Sequence, residues 1–142
     1  MAGYSDMPIL LVDDDPDDCF IFERAMKKAH LSNPLHSVHD GLDALKYLKN
    51  TKVLPGLMLV DVNMPCMGGI ELLSQLKVNP VLSLIPVIML TTSSRDADIV
   101  QCYQAGAVSY LLKPDNMQGL AELIERIRLY WLDTVALPFG QH

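Results

Sequence analysis

Short apolar runs without polar alternation constrain this chain more than any other feature. Ile9-Leu10-Leu11-Val12, Leu57-Met58-Leu59-Val60 and Pro86-Val87-Ile88-Met89-Leu90 offer no polar side to water. Strands of that kind are buried on both faces, the mark of a parallel sheet covered by helices. Between the runs the period becomes helical. Cys19, Phe22 and Met26, with Ala25 and Ala29, predict an amphipathic helix over 16–30. Leu42, Leu45 and Leu48 predict a second over 41–50, and a third covers about 68–78, stopping before Asn79-Pro80. A fourth runs from Ser94 to Ala105 and stops at Gly106, and a closing helix carries Leu120, Leu123, Ile124, Ile127 and Trp131. Residues 35–39 read as a weak, polar edge strand, and Val108–Leu112 as the last strand. Five β–α units joined by right-handed crossovers give an α/β fold, a doubly wound five-stranded parallel sheet.

The 142 residues are one domain's worth. They divide into a tail at 1–7, a body at 8–132 and an extension at 133–142. No apolar run approaches the roughly 18–20 residues of a membrane span, and the N-terminus lacks the features of a secretion signal. A cytoplasmic protein with no membrane partner is expected. Cys19, Cys66 and Cys102 are odd in number and form no CxxC pair, so they are expected to be reduced packing residues. The net charge of −6 argues against nucleic acid as a partner. That charge is unevenly placed, because five of the seventeen acids fall within Asp13–Asp18.

Ligands of open α/β sheets bind beyond the carboxyl ends of the strands. There the first strand leaves Asp13 and Asp14, the third Asp61, the fourth Thr91 and the fifth Lys113. Pro16 suits a first helical position, which makes Asp15 the N-cap and puts Asp17 and Asp18 in a first turn that favours carboxylates. Asp13 and Asp14 have no such explanation. Carboxylates about 4–6 Å apart at an effective dielectric near 20 repel by several kcal/mol per pair. Such a site binds a cation or raises a pKa. A few carboxylate oxygens with room for water and phosphate suit Mg²⁺, and Asp61 is the candidate nucleophile for an acyl phosphate. Lys113 would supply a point charge to the phosphate, and Thr91 a hydroxyl donor.

Val12-Asp13-Asp14, Asp61-Val62-Asn63-Met64-Pro65-x-x-Gly68-Gly69, Thr91 and Ala105-Gly106-Ala107-x-x-Tyr110-x-x-Lys113-Pro114 together resemble the receiver domains of two-component response regulators. The resemblance runs from about residue 8 to 132. It implies a flavodoxin-like sheet of strand order 2-1-3-4-5, with Asp61 as phosphoacceptor for a sensor histidine kinase. It also implies Asp14 as the principal metal ligand, Asp13 acting through water, and the Asn63 backbone carbonyl completing the metal set. Thr91 and Tyr110 would be the switch pair, and the Lys113–Pro114 bond would be cis. Such a protein signals through a downstream protein partner, with no enzymatic activity beyond self-catalysed phosphotransfer and autodephosphorylation. Tyr130-Trp131-Leu132-x-Thr134-x-x-Leu137-Pro138 is similar to the C-terminus of the small response regulators that partner bacterial phytochromes. Two departures from the pattern are Asp115, an acid beside the lysine, and Thr92, where Ala or Ser is common.

Two other functions share parts of this pattern. A haloacid-dehalogenase-like phosphatase also carries Asp-x-Asp after its first strand, but Asp17 stands where that class has Thr or Val. A flavodoxin needs a Ser/Thr/Gly-rich phosphate loop, where this chain is acidic. The end of the chain is the last signal. Leu129, Tyr130 and Leu132 lie off the closing helix's stripe, and Val135-Ala136-Leu137-Pro138-Phe139 continues apolar. Either the tail covers its own sheet or it forms a homodimer interface about a two-fold axis; the homodimer is the expectation.

Overall fold

The computed structural model describes residues 6–138. Phe139 of the apolar tail lies outside them. The elements are β1 (Ile9–Val12), α1 (Pro16–Lys28), β2 (Leu35–Val38), α2 (Gly41–Asn50), β3 (Leu57–Val60) and α3 (Gly69–Lys77). After a 3₁₀ turn at Leu82–Leu84 come β4 (Val87–Thr91), α4 (Asp96–Gln104), β5 (Ser109–Leu112) and α5 (Met117–Ile127). A π-helical segment, Arg128–Leu132, continues α5. The five strands are parallel in the order β2-β1-β3-β4-β5, the flavodoxin-like arrangement that the receiver-domain resemblance implies. β2 is the polar edge.

β1, β3 and β4 are buried throughout, and their side chains feed two cores, one on each face of the sheet. Ile9, Leu11, Leu57, Leu59, Ile88 and Leu90 meet α1 and α5. Leu10, Val12, Met58, Val60, Val87 and Met89 point to the other face, against residues of α2 and α3. The period of two along each strand divides one apolar run between two cores.

Three expectations shift. Leu42 is exposed, and Gly41, Ala44 and Leu48 form the buried side of α2 instead. The Gly41 N–H donates to the Met67 carbonyl, and a Cβ on Gly41 would stand 2.6 Å from Met67 Cγ, so this close approach fixes the helix's rotation. Helix α4 begins at Asp96, not Ser94, with Arg95 at its N-cap and no side-chain cap, and Ser93 Oγ donates to Asp98 Oδ2. Beyond Ile127 the π geometry, with hydrogen bonds reaching i to i+5, carries Leu132 into the core and leaves Trp131 partly buried.

Leu137 is also buried, 3 % exposed, against the α1–α5 side. Arg128 spans Glu125 and Asp133 at the start of the return. The described part of the tail therefore packs on its own domain. Leu132 and Leu137, named above for the homodimer interface, are buried in the chain's own core. Cys19 and Cys102 are buried free thiols, raised by burial, Cys102 to about 11. Cys66 is free and exposed in the β3–α3 loop, so it is not the packing residue expected.

Candidate functional site

The sheet brings the strand-end residues together. Parallel register continues past β1, where Asp13 N–H bonds the Val38 carbonyl and Asp61 N–H bonds the Val12 carbonyl. Past β5, the Lys113 N–H bonds the Thr91 carbonyl. Backbone pairing thus delivers Asp13, Asp61 and Lys113 to one edge. One oxygen each from Asp13, Asp14 and Asp61 lie within 4.8 Å of one another. Asp13 is buried, Asp61 nearly so, and Asp14 exposed.

Lys113 joins this cluster from above β5. Its ammonium donates to Asp13 Oδ2 at 2.6 Å, Asp18 Oδ2 at 2.9 Å and Asp61 Oδ2 at 3.1 Å. Burial alone would lower the lysine's pKa. Its hydrogen bonds to Asp13 and Asp18, with the charges of Asp61 and Asp13, outweigh that and hold it above the ordinary lysine value. Burial raises the Asp13 carboxyl against the opposing pull of Lys113. The second Asp13 oxygen accepts the Asp15 N–H at 3.0 Å. His39 Nδ1 lies 3.1 Å from the Asp13 carbonyl, fastening the end of β2 to the same turn.

Asp15 caps α1 by accepting the Asp17 N–H, as its spacing predicts. Asp18 does more than its place in the first turn suggests, because it is one of the three partners of Lys113. The spacing of Asp18 from Asp13 holds no hint of this; a fifth strand must first bring Lys113 over α1.

Thr91 is fully buried, and its Oγ1 accepts the Ser93 N–H at 3.3 Å. Tyr110 donates its hydroxyl to the Ser93 carbonyl at 2.8 Å, and burial raises its pKa. Ser93 thus touches both members of the expected switch pair, a role the sequence did not show. Asn63 is exposed in the loop after β3. That loop lies tightly on the strand end: a Cβ on Gly69 would stand 2.3 Å from the Asp61 carbonyl oxygen, which explains the Gly68-Gly69 of the motif. No cis peptide bond occurs among the described residues, so the cis Lys113–Pro114 bond expected from the resemblance is corrected to trans. Trans is the form an X-Pro bond favours by about 0.5–1 kcal/mol, and Lys113 reaches all three acids from it. Asp115 is exposed and accepts the Asn116 amide, while the lysine's ion pairs run to Asp13, Asp18 and Asp61.

A family model for the response regulator receiver domain matches residues 9–125. The chain belongs to that family. Response regulator Rcp1 of Synechocystis is 35% identical over 145 residues, covering 97% of this chain and 99% of the relative. The phosphorylated cyanobacterial phytochrome response regulator RcpA superposes with a TM-score of 0.87 at 31% identity, over 94% of this chain and 99% of that one. The Mn²⁺-bound form of Rcp1 superposes with a TM-score of 0.82 at 34% identity, over 93% of this chain and 99% of the other. Nothing in these comparisons supports the phosphatase alternative. No helix among the described residues is long and apolar enough to cross a membrane.

Proposed function

We propose that the chain is a phosphoacceptor in a two-component phosphorelay and takes its phosphoryl group on Asp61 from a sensor histidine kinase. The observation that carries this is the Asp13–Asp14–Asp61 cluster within 4.8 Å, with Lys113 on Asp61. The donor set fits a hard divalent cation, because it consists of carboxylate oxygens with no thiolate or imidazole. Asp13, Asp14, Asp61 and the Asn63 backbone carbonyl would hold Mg²⁺, which when bound offsets the charge of the phosphoryl oxygens. An Asp61 carboxylate oxygen attacks phosphorus; the bond to the donor's leaving group breaks and that group departs with the electron pair. Lys113 would follow the new charge, Thr91 would turn its hydroxyl to it, and Tyr110 would carry the change to the surface.

RcpA is a cyanobacterial phytochrome response regulator, which supports a bacterial phytochrome as the kinase for this chain. The output would be a protein contact rather than nucleic acid or membrane binding, in a cytoplasmic protein without activity beyond phosphotransfer and autodephosphorylation. The same reading keeps 8–132 as the receiver body, with the tail 1–7 before it and the extension 133–142 after it. A homodimer would use the apolar side chains still exposed on α4, β5 and the end of α5, namely Val100, Tyr103, Leu112, Leu129 and Tyr130. Light scattering with and without acetyl phosphate tests the dimer, which a monomer throughout refutes. Acetyl phosphate with Mg²⁺ should add one phosphoryl mass to the intact chain and none to Asp61→Asn. Equal labelling of the two sinks the assignment.

A further inference from the structure

Lys113 has three ammonium hydrogens, and three carboxylates use them. Two of those acids, Asp13 and Asp61, belong to the cluster whose oxygens could share a cation, and Asp18 does not. A cation drawing on Asp13 and Asp61 would therefore leave the Asp18 contact untouched. The lysine does not need Asp18 to stay in the pocket, because the shortest of its three bonds is to buried Asp13. Asp18 also stands in the first turn of α1. A cavity of about 370 Å³ opens beside this contact, bordered by Ile21, Met117 and Leu120, so the lysine's stem has space on that side.

We infer that Asp18 is a positioning residue that holds Lys113 toward α1 and competes with a phosphoryl group on Asp61 for the ammonium. The inference rests on the phosphoacceptor reading and adds to it a restraint on how readily the phosphorylated state forms. A phosphoryl group needs at least one lysine hydrogen. A cation on Asp13 and Asp61 would free the hydrogens those two acids hold, so of the three partners Asp18 is the one left tying the ammonium toward α1 and resisting its move onto the phosphoryl group. The Asp18 side chain is 40% exposed, so the restraint is modest and screened by salt.

The test is the affinity of the full-length protein for beryllofluoride, a non-covalent phosphoryl mimic, titrated with Mg²⁺ present by calorimetry. Asp18→Asn should bind about two- to fivefold tighter than the parent, the range expected of a partly exposed ion pair. The gap should shrink as salt is added, and Asp18→Glu, which keeps the charge, should return to the parent. Asp17→Asn, in the same turn, should bind like the parent. Equal or weaker binding by Asp18→Asn overturns the inference while leaving the phosphoacceptor reading in place. An equal gain in Asp17→Asn also overturns it, since general acidity would then explain the effect. If the parent binds no better than Asp61→Asn, the phosphoacceptor reading fails and the restraint fails with it.

Discussion

Replacing Lys113 with Met keeps a stem of similar length and removes the charge. Asp13 and Asp61, with side chains 3% and 12% exposed, then lose their counterion while facing Asp14 within 4.8 Å. At that separation and an effective dielectric near 20, each like-charge pair repels by about 3.5 kcal/mol. The full repulsion is not realised, because Asp13 can take up a proton; burial already raises its pKa. Removing one partner of a buried ion pair costs about 3–5 kcal/mol, and the exposure of Asp18 argues for the lower end, about 3 kcal/mol. For a domain of this size that lowers the Tm by about 10 °C. Circular-dichroism melts in EDTA measure the loss, and Mg²⁺ should restore more to Lys113→Met than to the parent. A ligand at a hundredfold its Kd adds about 2.7 kcal/mol. The pH dependence has a definite sign. The folded lysine lies above its ordinary 10.5, so its contribution is complete below that value and is lost as the pH rises beyond it. The folded Asp13 also lies above its ordinary 3.8, so the native state holds its proton longer and stability falls as the pH rises through that window. The difference between parent and variant should therefore persist at neutral pH, narrowing in strong alkali as the lysine loses its proton and in acid as Asp13 takes one up. A variant melting within about 2 °C of the parent in EDTA at neutral pH would refute the reasoning.

Other substitutions test the packing. Leu137→Ala should cost about 2 kcal/mol or more by denaturant titration because it empties a buried site, whereas Tyr130→Ala, half exposed, should change stability by less than about 0.5 kcal/mol. Gly106 has φ 112° with open space where a methyl group would stand, so Gly106→Ala should cost about 1–2 kcal/mol through the backbone alone. His30 ends α1 at φ 58°, and His30→Gly should raise stability by about 0.5 kcal/mol. Near neutral pH a thiol reagent should label Cys66 at once and leave Cys19 and Cys102 until unfolding; three equivalent thiols would contradict the burial assignment.

Much of this molecule is decided locally and is therefore legible in its residues. An apolar run with no polar side has only the interior of a parallel sheet to occupy, and Asp15-Pro16 can begin a helix without help from elsewhere. The convergence of Asp13, Asp61, Thr91 and Lys113 follows from the fold alone, since each ends a strand and parallel strands end together. What the sequence left undecided depends on contacts between segments far apart in the chain. Asp18 meets Lys113 across 95 residues, and Ser93 meets Tyr110 across 17. The rotation of α2 is set by Met67 in a different loop. The tail could cover its own core or a second copy, since burial rewards either alike. Within the chain, and for the described residues, a π-helical turn carries Leu132 inward and Leu137 packs against the α1 and α5 side, a contact that depends on tertiary packing and not on local pattern.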